Sequence, residues 1–181
     1  MSPKDDAAPA RRAVDGQRSA VYAAEQMVFG LFDNVGSGRA ARVGGANLTL
    51  PHEARFASLE SIDDYVVKVL ALPAVVERFG RAGVPVRVRS RRGAAAATYE
   101  PGPEGGVIAI PAANPGGGWA LRELVVLHEL AHHLDDSGGP AHGPGFRTTL
   151  ADLAGLVLGP EVSFCYRVIF GESGLTDARP T

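Results

Sequence analysis

The chain has 181 residues, 45% of them hydrophobic, with 18 basic against 20 acidic side chains and a formal charge of −2. This is apolar material for one domain with a substantial core. The charge balance supplies no overall basic field to recruit nucleic acid, and the single cysteine, Cys165, excludes an intrachain disulfide framework.

No run approaches the roughly 18 apolar residues that cross a bilayer, and the N-terminus lacks the apolar centre of a secretion signal. A soluble, cytoplasmic protein with no membrane partner is expected. Residues 1–16 mix Pro, Ala, Asp and Arg without periodicity and read as a disordered tail, followed by a single domain over residues 17–170 and a polar tail over residues 171–181.

Within the domain, Val21, Ala24, Met27, Val28 and Leu31 recur at helical spacing and predict a helix over residues 17–32. Gly36, Gly38, Gly44 and Gly45 mark residues 34–45 as loop, and neither phosphate-loop pattern follows them. Residues 47–50 read as a short strand. Ser61 is expected to cap a helix over residues 62–70, and residues 72–79 to form another turn or two after Pro73.

Val84, Val86 and Val88 then alternate with Arg87, Arg89 and Arg91, which predicts a strand over residues 84–92. Its arginine face is read as a solvated outer surface that discourages edge-to-edge association. Residues 94–99 and 107–110 read as two further strands joined by a Pro/Gly-rich loop, and residues 111–118 as a flexible connector. Helices near residues 146–158 and 161–170 close an α+β fold, a small antiparallel or mixed sheet packed on a central helix. Cys165, in an apolar run, is expected to be buried and inert.

That central helix carries the chemistry. Four of the five histidines fall between positions 128 and 142. Residues 119–134 contain neither Gly nor Pro and are apolar on most of the circumference, which reads as one buried helix. His128 and His132 are four apart, so they lie on the same helical face, about 6 Å along the axis. That spacing lets two imidazoles converge on one tetrahedral Zn²⁺, with a third ligand from elsewhere and water in the open position. Glu129 is placed to act on that water as general base. The competing explanation, two core histidines bonded to carbonyls, is disfavoured by the apolar helix and by a further histidine just past its end.

Asp135 to Pro140 are strong stop and turn signals, and Pro144 suits the first turn of a new helix. Nine residues separate His132 from His142, enough for the chain to double back, so His142 is the expected third ligand. Asp136, Asp152 and Glu161 are the alternatives. His133 points roughly 100° away from His132 and is read as structural or as supporting a ligand from behind. No methionine follows Met27, which excludes the Met-turn of metzincins.

Residues 106–111, Trp119-Ala-Leu-Arg-Glu123, H-E-L-A-H-H and A-H-G-P-G-F together resemble a family of actinobacterial H-E-x-x-H metallohydrolases. More distantly, the H-G-P-x-F element is similar to SprT-like and WLM-type metalloproteases. The resemblance covers residues 84–170. It implies a zincin-like metallopeptidase fold, with His128, His132 and His142 as zinc ligands. It also implies that residues 107–110 form the edge strand to which an extended peptide adds.

The expected activity is zinc-dependent hydrolysis of a peptide or small amide bond. Three neutral imidazoles leave the metal its full charge and lower the pKa of its water toward about 7. Glu129 takes the proton and returns it to the leaving amine. Tyr99, Tyr166 and Arg167 are the candidates to stabilise the oxyanion. Two rival readings are a regulatory protein that keeps the zinc-peptidase fold to bind a partner, and a DNA-associated protease of the SprT kind. The first is opposed by the intact Glu129. The second is opposed by the charge balance and by the absence of a basic or cysteine-bearing extension.

Overall fold

The computed structural model describes residues 15–92, 96–111 and 117–175. Most of residues 1–16, the last six residues and the centre of the 111–118 connector lie outside the described residues. Helix α1 (Arg18–Asn34) buries Val21, Ala24, Val28, Phe29 and Phe32, and with them Glu25. Met27, expected on that buried face, is 53% exposed. The true stripe runs one position round the helix, so a carboxylate stands where a methionine was expected.

The glycine-rich stretch after α1 is a β-hairpin. Strands β1 (Ala40–Val43) and β2 (Ala46–Thr49) pair antiparallel through Gly44 and Gly45. Both glycines have positive φ, +54° and +82°, as a tight two-residue hairpin turn requires. The loop expectation holds for residues 35–39 and fails from Ala40 onward, because Gly-Gly between short runs is itself a hairpin signal.

Helix α2 (Leu59–Leu70) begins three residues before the expected start. Ser58 is its cap, and Ser61 completes a reciprocal pair in which each serine side chain accepts from the other's backbone N–H. A short helix, α3 (Pro73–Arg78), follows.

The main sheet has three strands in the order β3 (Val86–Ser90), β5 (Gly105–Ile110), β4 (Thr98–Gly102). β5 runs parallel to β3 and antiparallel to β4, and β4 continues through much of the predicted 100–106 loop. The expectation that residues 107–110 form the edge is therefore corrected. Ile108, Ala109 and Ile110 are fully buried because β5 has a partner on each side, and the edge beside the central helix is β4. The arginine row is partly engaged. Arg87 is exposed, Arg89 pairs with Glu100 at 2.7 Å, and Arg91 donates to the Thr98 hydroxyl at 2.7 Å.

A 3-10 turn (Gly117–Leu121) leads into α4 (Glu123–Leu134), which lies between this sheet and helix α5 (Pro144–Leu158), and α6 (Pro160–Glu172) packs on α5 and α1. Every residue of α4 except His132 is buried. α6 extends two residues into the predicted polar tail before Gly174, with φ +73°, ends it, and Leu175 is buried beyond it. No helix among the described residues is long and apolar enough to cross a membrane.

The start of α4 is fixed by a buried ionic clamp. Arg122 donates from Nε and Nη2 to the two carboxylate oxygens of Glu53, at 2.8 and 2.7 Å, and stacks 4.4 Å over the ring of Phe29. Glu123 accepts from the Tyr65 hydroxyl at 2.5 Å and from the Ala54 backbone N–H at 2.7 Å. Backbone bonds from Phe56 to Leu121 and from Glu123 to Ala54 tie the same two segments together. Arg122 and Glu53 side chains are only 6% and 5% exposed. Removing the cation leaves the buried Glu53 carboxylate with only the Leu124 backbone N–H at 3.2 Å and Arg55 at 3.4 Å, so Arg122→Ala is expected to lower unfolding stability by about 2–4 kcal/mol. Denaturant titration measures this, and a loss under about 1 kcal/mol would show that the clamp does not fix the helix.

Candidate metal centre

His128 and His132 lie one turn apart on α4, and their Nε2 atoms are 3.1 Å from each other. His142 comes from the turn before α5, two residues ahead of Pro144 at the first position of that helix. One ligand atom from each of the three histidines falls within 4.8 Å of the others. Nitrogens bound to a tetrahedral zinc stand roughly 3.3 Å apart, given bonds of about 2.0–2.1 Å. Small side-chain rotations bring this triad to that spacing.

The 135–143 turn reaches this position because of close backbone packing. A Cβ on Gly145 would stand 2.1 Å from the Ser137 hydroxyl oxygen and 2.4 Å from its Cβ. Glycine there lets the first turn of α5 press against the 135–139 segment, which holds His142 over α4. Phe146 stacks 4.2 Å from the His132 ring and closes the site from the α5 side.

Each outer histidine is oriented by a carboxylate. Glu25 of α1 contacts His128 Nδ1 at 2.8 Å, and Asp15 contacts His142 Nδ1 at 2.6 Å. Both arrangements turn Nε2 inward, as a carboxylate behind a metal-binding imidazole does. Burial opposes protonation of His128, but Glu25 beside it more than offsets this and its pKa rises to about 9. Burial lowers the pKa of His142 despite the bond to Asp15, which favours the neutral ring.

His142 Nε2 is buried without a hydrogen-bond partner, as are one oxygen of Glu25 and one of Asp15. Glu129 is itself buried and its pKa is raised, by desolvation and by Glu25, against the pull of His128 and a hydrogen bond from the Tyr99 backbone. An inward lone pair and buried carboxylates around one point are what a dication would satisfy. The donor set, three imidazole nitrogens, is of the kind that binds a borderline-soft divalent metal such as Zn²⁺.

The remaining expected residues separate clearly. Asp136 is exposed, Asp152 pairs with Arg78 and Arg167, and none of Asp136, Asp152 and Glu161 joins the histidine cluster. His133 is fully buried; its Nε2 donates to the carbonyls of Arg81 and Val84, and its Nδ1 accepts from the Tyr99 hydroxyl at 3.0 Å. It thus staples the β4 edge to the back of α4. Tyr99 is committed to that bond, Tyr166 is buried against Phe170, and Arg167 is tied to Asp152.

The sequence reading missed three residues that surround the histidine triad: Asp15, Tyr22 and Glu25. The Tyr22 ring stacks 5.4 Å from His128 and lies 5.3 Å from His142. Glu25 carried a usable signal, since it sits four residues after Val21 and three before Val28, on the buried stripe. Comparison of the chain with protein-family models, with curated proteins and with solved structures returns no match.

Two substitutions test the geometry. His142→Ala should abolish stoichiometric zinc binding, while Glu25→Gln should retain all three ligands and lose roughly 10–100-fold in zinc affinity. Competition titration against a chromogenic chelator reads both. Unchanged affinity in Glu25→Gln would mean that the carboxylate does not orient His128 for a metal.

Proposed function

We propose that the chain is a zinc-dependent hydrolase, a metallopeptidase of zincin-like fold that cleaves a peptide or small amide bond. The observation that supports this most is the convergence of His128, His132 and His142 with an orphaned, buried Nε2 on His142 and with Glu129 alongside. Bound there, zinc would supply Lewis acidity, polarising a carbonyl and acidifying water. The chain's own residues supply positioning and proton transfer.

Glu129 lines both cavities that flank the histidines. Its carboxylate accepts a proton from the attacking water and returns it to the leaving nitrogen. Burial favours such shuttling by raising its proton affinity above that of an exposed glutamate. The Tyr99 hydroxyl is bonded to His133, and Tyr166 and Arg167 line neither cavity at the histidines, so Tyr22, stacked on His128 and tilted against His142, replaces them as the candidate to stabilise a developing oxyanion.

A cleft of about 530 Å³ runs past Thr98, Tyr99 and Pro101 of β4 to Glu129, His132 and His142. β4 is a sheet edge, so an extended peptide can add to it as a further strand. The DNA-associated reading draws little from this surface, because Arg89 and Arg91 already have protein partners.

The test is digestion of a peptide library derived from a whole proteome by the zinc-loaded protein, read by mass spectrometry. Wild type is expected to cleave, and Glu129→Gln to bind one zinc with the same fold while losing hydrolysis by several orders of magnitude. Equal cleavage by both would overturn the role of Glu129. No cleavage by wild type would favour a regulatory zinc-binding protein.

A further inference from the structure

The second cavity beside the histidines differs in chemistry from the β4 cleft. It has a volume of about 290 Å³ and is walled by Phe29, Trp119, Val125 and Ala97, with Tyr22 and Glu129 where it meets the metal triad. Its walls come from α1, the 3-10 turn that carries Trp119, the first turns of α4 and the two alanines just before β4. Glu25 is also part of the lining, but one of its oxygens faces His128 and the other is buried, so it presents little charge to an occupant.

We propose that this cavity is a specificity pocket that takes one large apolar side chain, branched aliphatic or aromatic, from the residue next to the cleaved bond. The assignment rests on the hydrolase reading given above. Three observations point to it. First, Tyr22, Ala97 and Glu129 line both cavities, so an occupant of this pocket is continuous with a chain lying along β4.

Second, the walls are mostly apolar, and an apolar cavity of about 150 Å³ already holds a benzene ring. At about 290 Å³ there is room for a leucine- or phenylalanine-sized group with its attachment to a peptide backbone. Third, Trp119 is 42% exposed at this site although it is the only tryptophan of the chain. An apolar occupant would cover it, as aromatic side chains at recognition sites are covered.

The test uses simple hydroxamic acids as metal-anchored probes, and titration calorimetry on the zinc-loaded protein as the readout, so no substrate is required. Acetohydroxamic acid reports the anchor alone, 4-methylpentanohydroxamic acid adds a branched apolar chain, and 6-aminohexanohydroxamic acid adds a chain ending in a cation. The branched probe is expected to bind roughly 10–100-fold more tightly than acetohydroxamic acid, from burial of three or four further carbons. Trp119→Ala, which removes a partly exposed wall, and Ala96→Phe, which narrows the same cavity, should each remove most of that advantage. Equal affinity of the branched probe and acetohydroxamic acid would overturn the pocket while leaving the metal centre standing. Tighter binding of the amine probe would overturn the apolar assignment in favour of a cation site. If zinc is held yet no hydroxamate binds, the hydrolase reading fails and the pocket assignment falls with it.

Discussion

The structure depends on burying α4 on all sides. Eleven of its twelve residues are buried, so a polar side chain on it needs a partner from another element. Glu123 takes Tyr65 and the Ala54 backbone, and Arg122 just ahead of the helix takes Glu53. His133 takes two carbonyls and the Tyr99 hydroxyl. Each match draws a separate part of the chain onto the helix: the 53–56 segment, α2, the 81–84 turn and β4. The tertiary arrangement around α4 is largely the set of solutions to this one requirement. Glu129 is the residue of α4 left as a desolvated carboxylate, and His128 turns its Nε2 toward His132 and the unpartnered Nε2 of His142.

α1 plays a complementary part. It packs against α6 rather than making its main contacts with α4, and its inner face presents Tyr22 and Glu25 to the histidines. Asp15, just before it, reaches His142 across a long stretch of sequence. The site therefore draws its histidines from the last third of the chain and their orienting carboxylates from its beginning. Local charge follows from this. Two carboxylates behind two imidazoles would balance a dication held by three neutral ligands, and Glu129 remains as the additional ionisable group for chemistry.

Residues with local signals were legible in the sequence, and residues whose role depends on distant pairing were not. The spacing of His128 and His132, the stop after Leu134 and the Pro144 helix start are all local, and they led to the three histidines that the fold brings together. The alternation from Val84 onward likewise marked β3. Strand order left no such trace. The apolar run at 107–110 is as compatible with a central strand as with an edge, and only the parallel pairing to β3 decides it. The partners of Glu25 and Tyr22 were hidden for the same reason: a helix with Val21, Ala24 and Val28 inside says which face is buried, and so marks Glu25 as buried, but not that histidines cover it. The Ser58 cap was missed because Ser61 has the same chemistry three residues on, and the two act as one motif.

The two cavities at the histidines differ because different elements wall them. The larger is bounded by the β4 edge and the 135–142 turn, where backbone groups, Arg18, Arg81 and Asp135 stand. The smaller is bounded by α1 and the early turns of α4, which are apolar because they continue into the core. Glu129 lies in both linings because its position, just after His128 and one turn beyond Val125, puts it where the core face of α4 gives way to the cleft. A base in that place can take a proton from a nucleophile and deliver it to a leaving group without leaving the bond being broken, since both partners are within reach of one carboxylate. Tyr22 shares the same lining, and its hydroxyl pKa is raised by burial and by the Glu129 charge, which keeps it a hydrogen-bond donor. Under the proposed hydrolase reading, a hydrogen-bond donor sharing a lining with a carboxylate would let one group move protons and the other hold the developing negative charge.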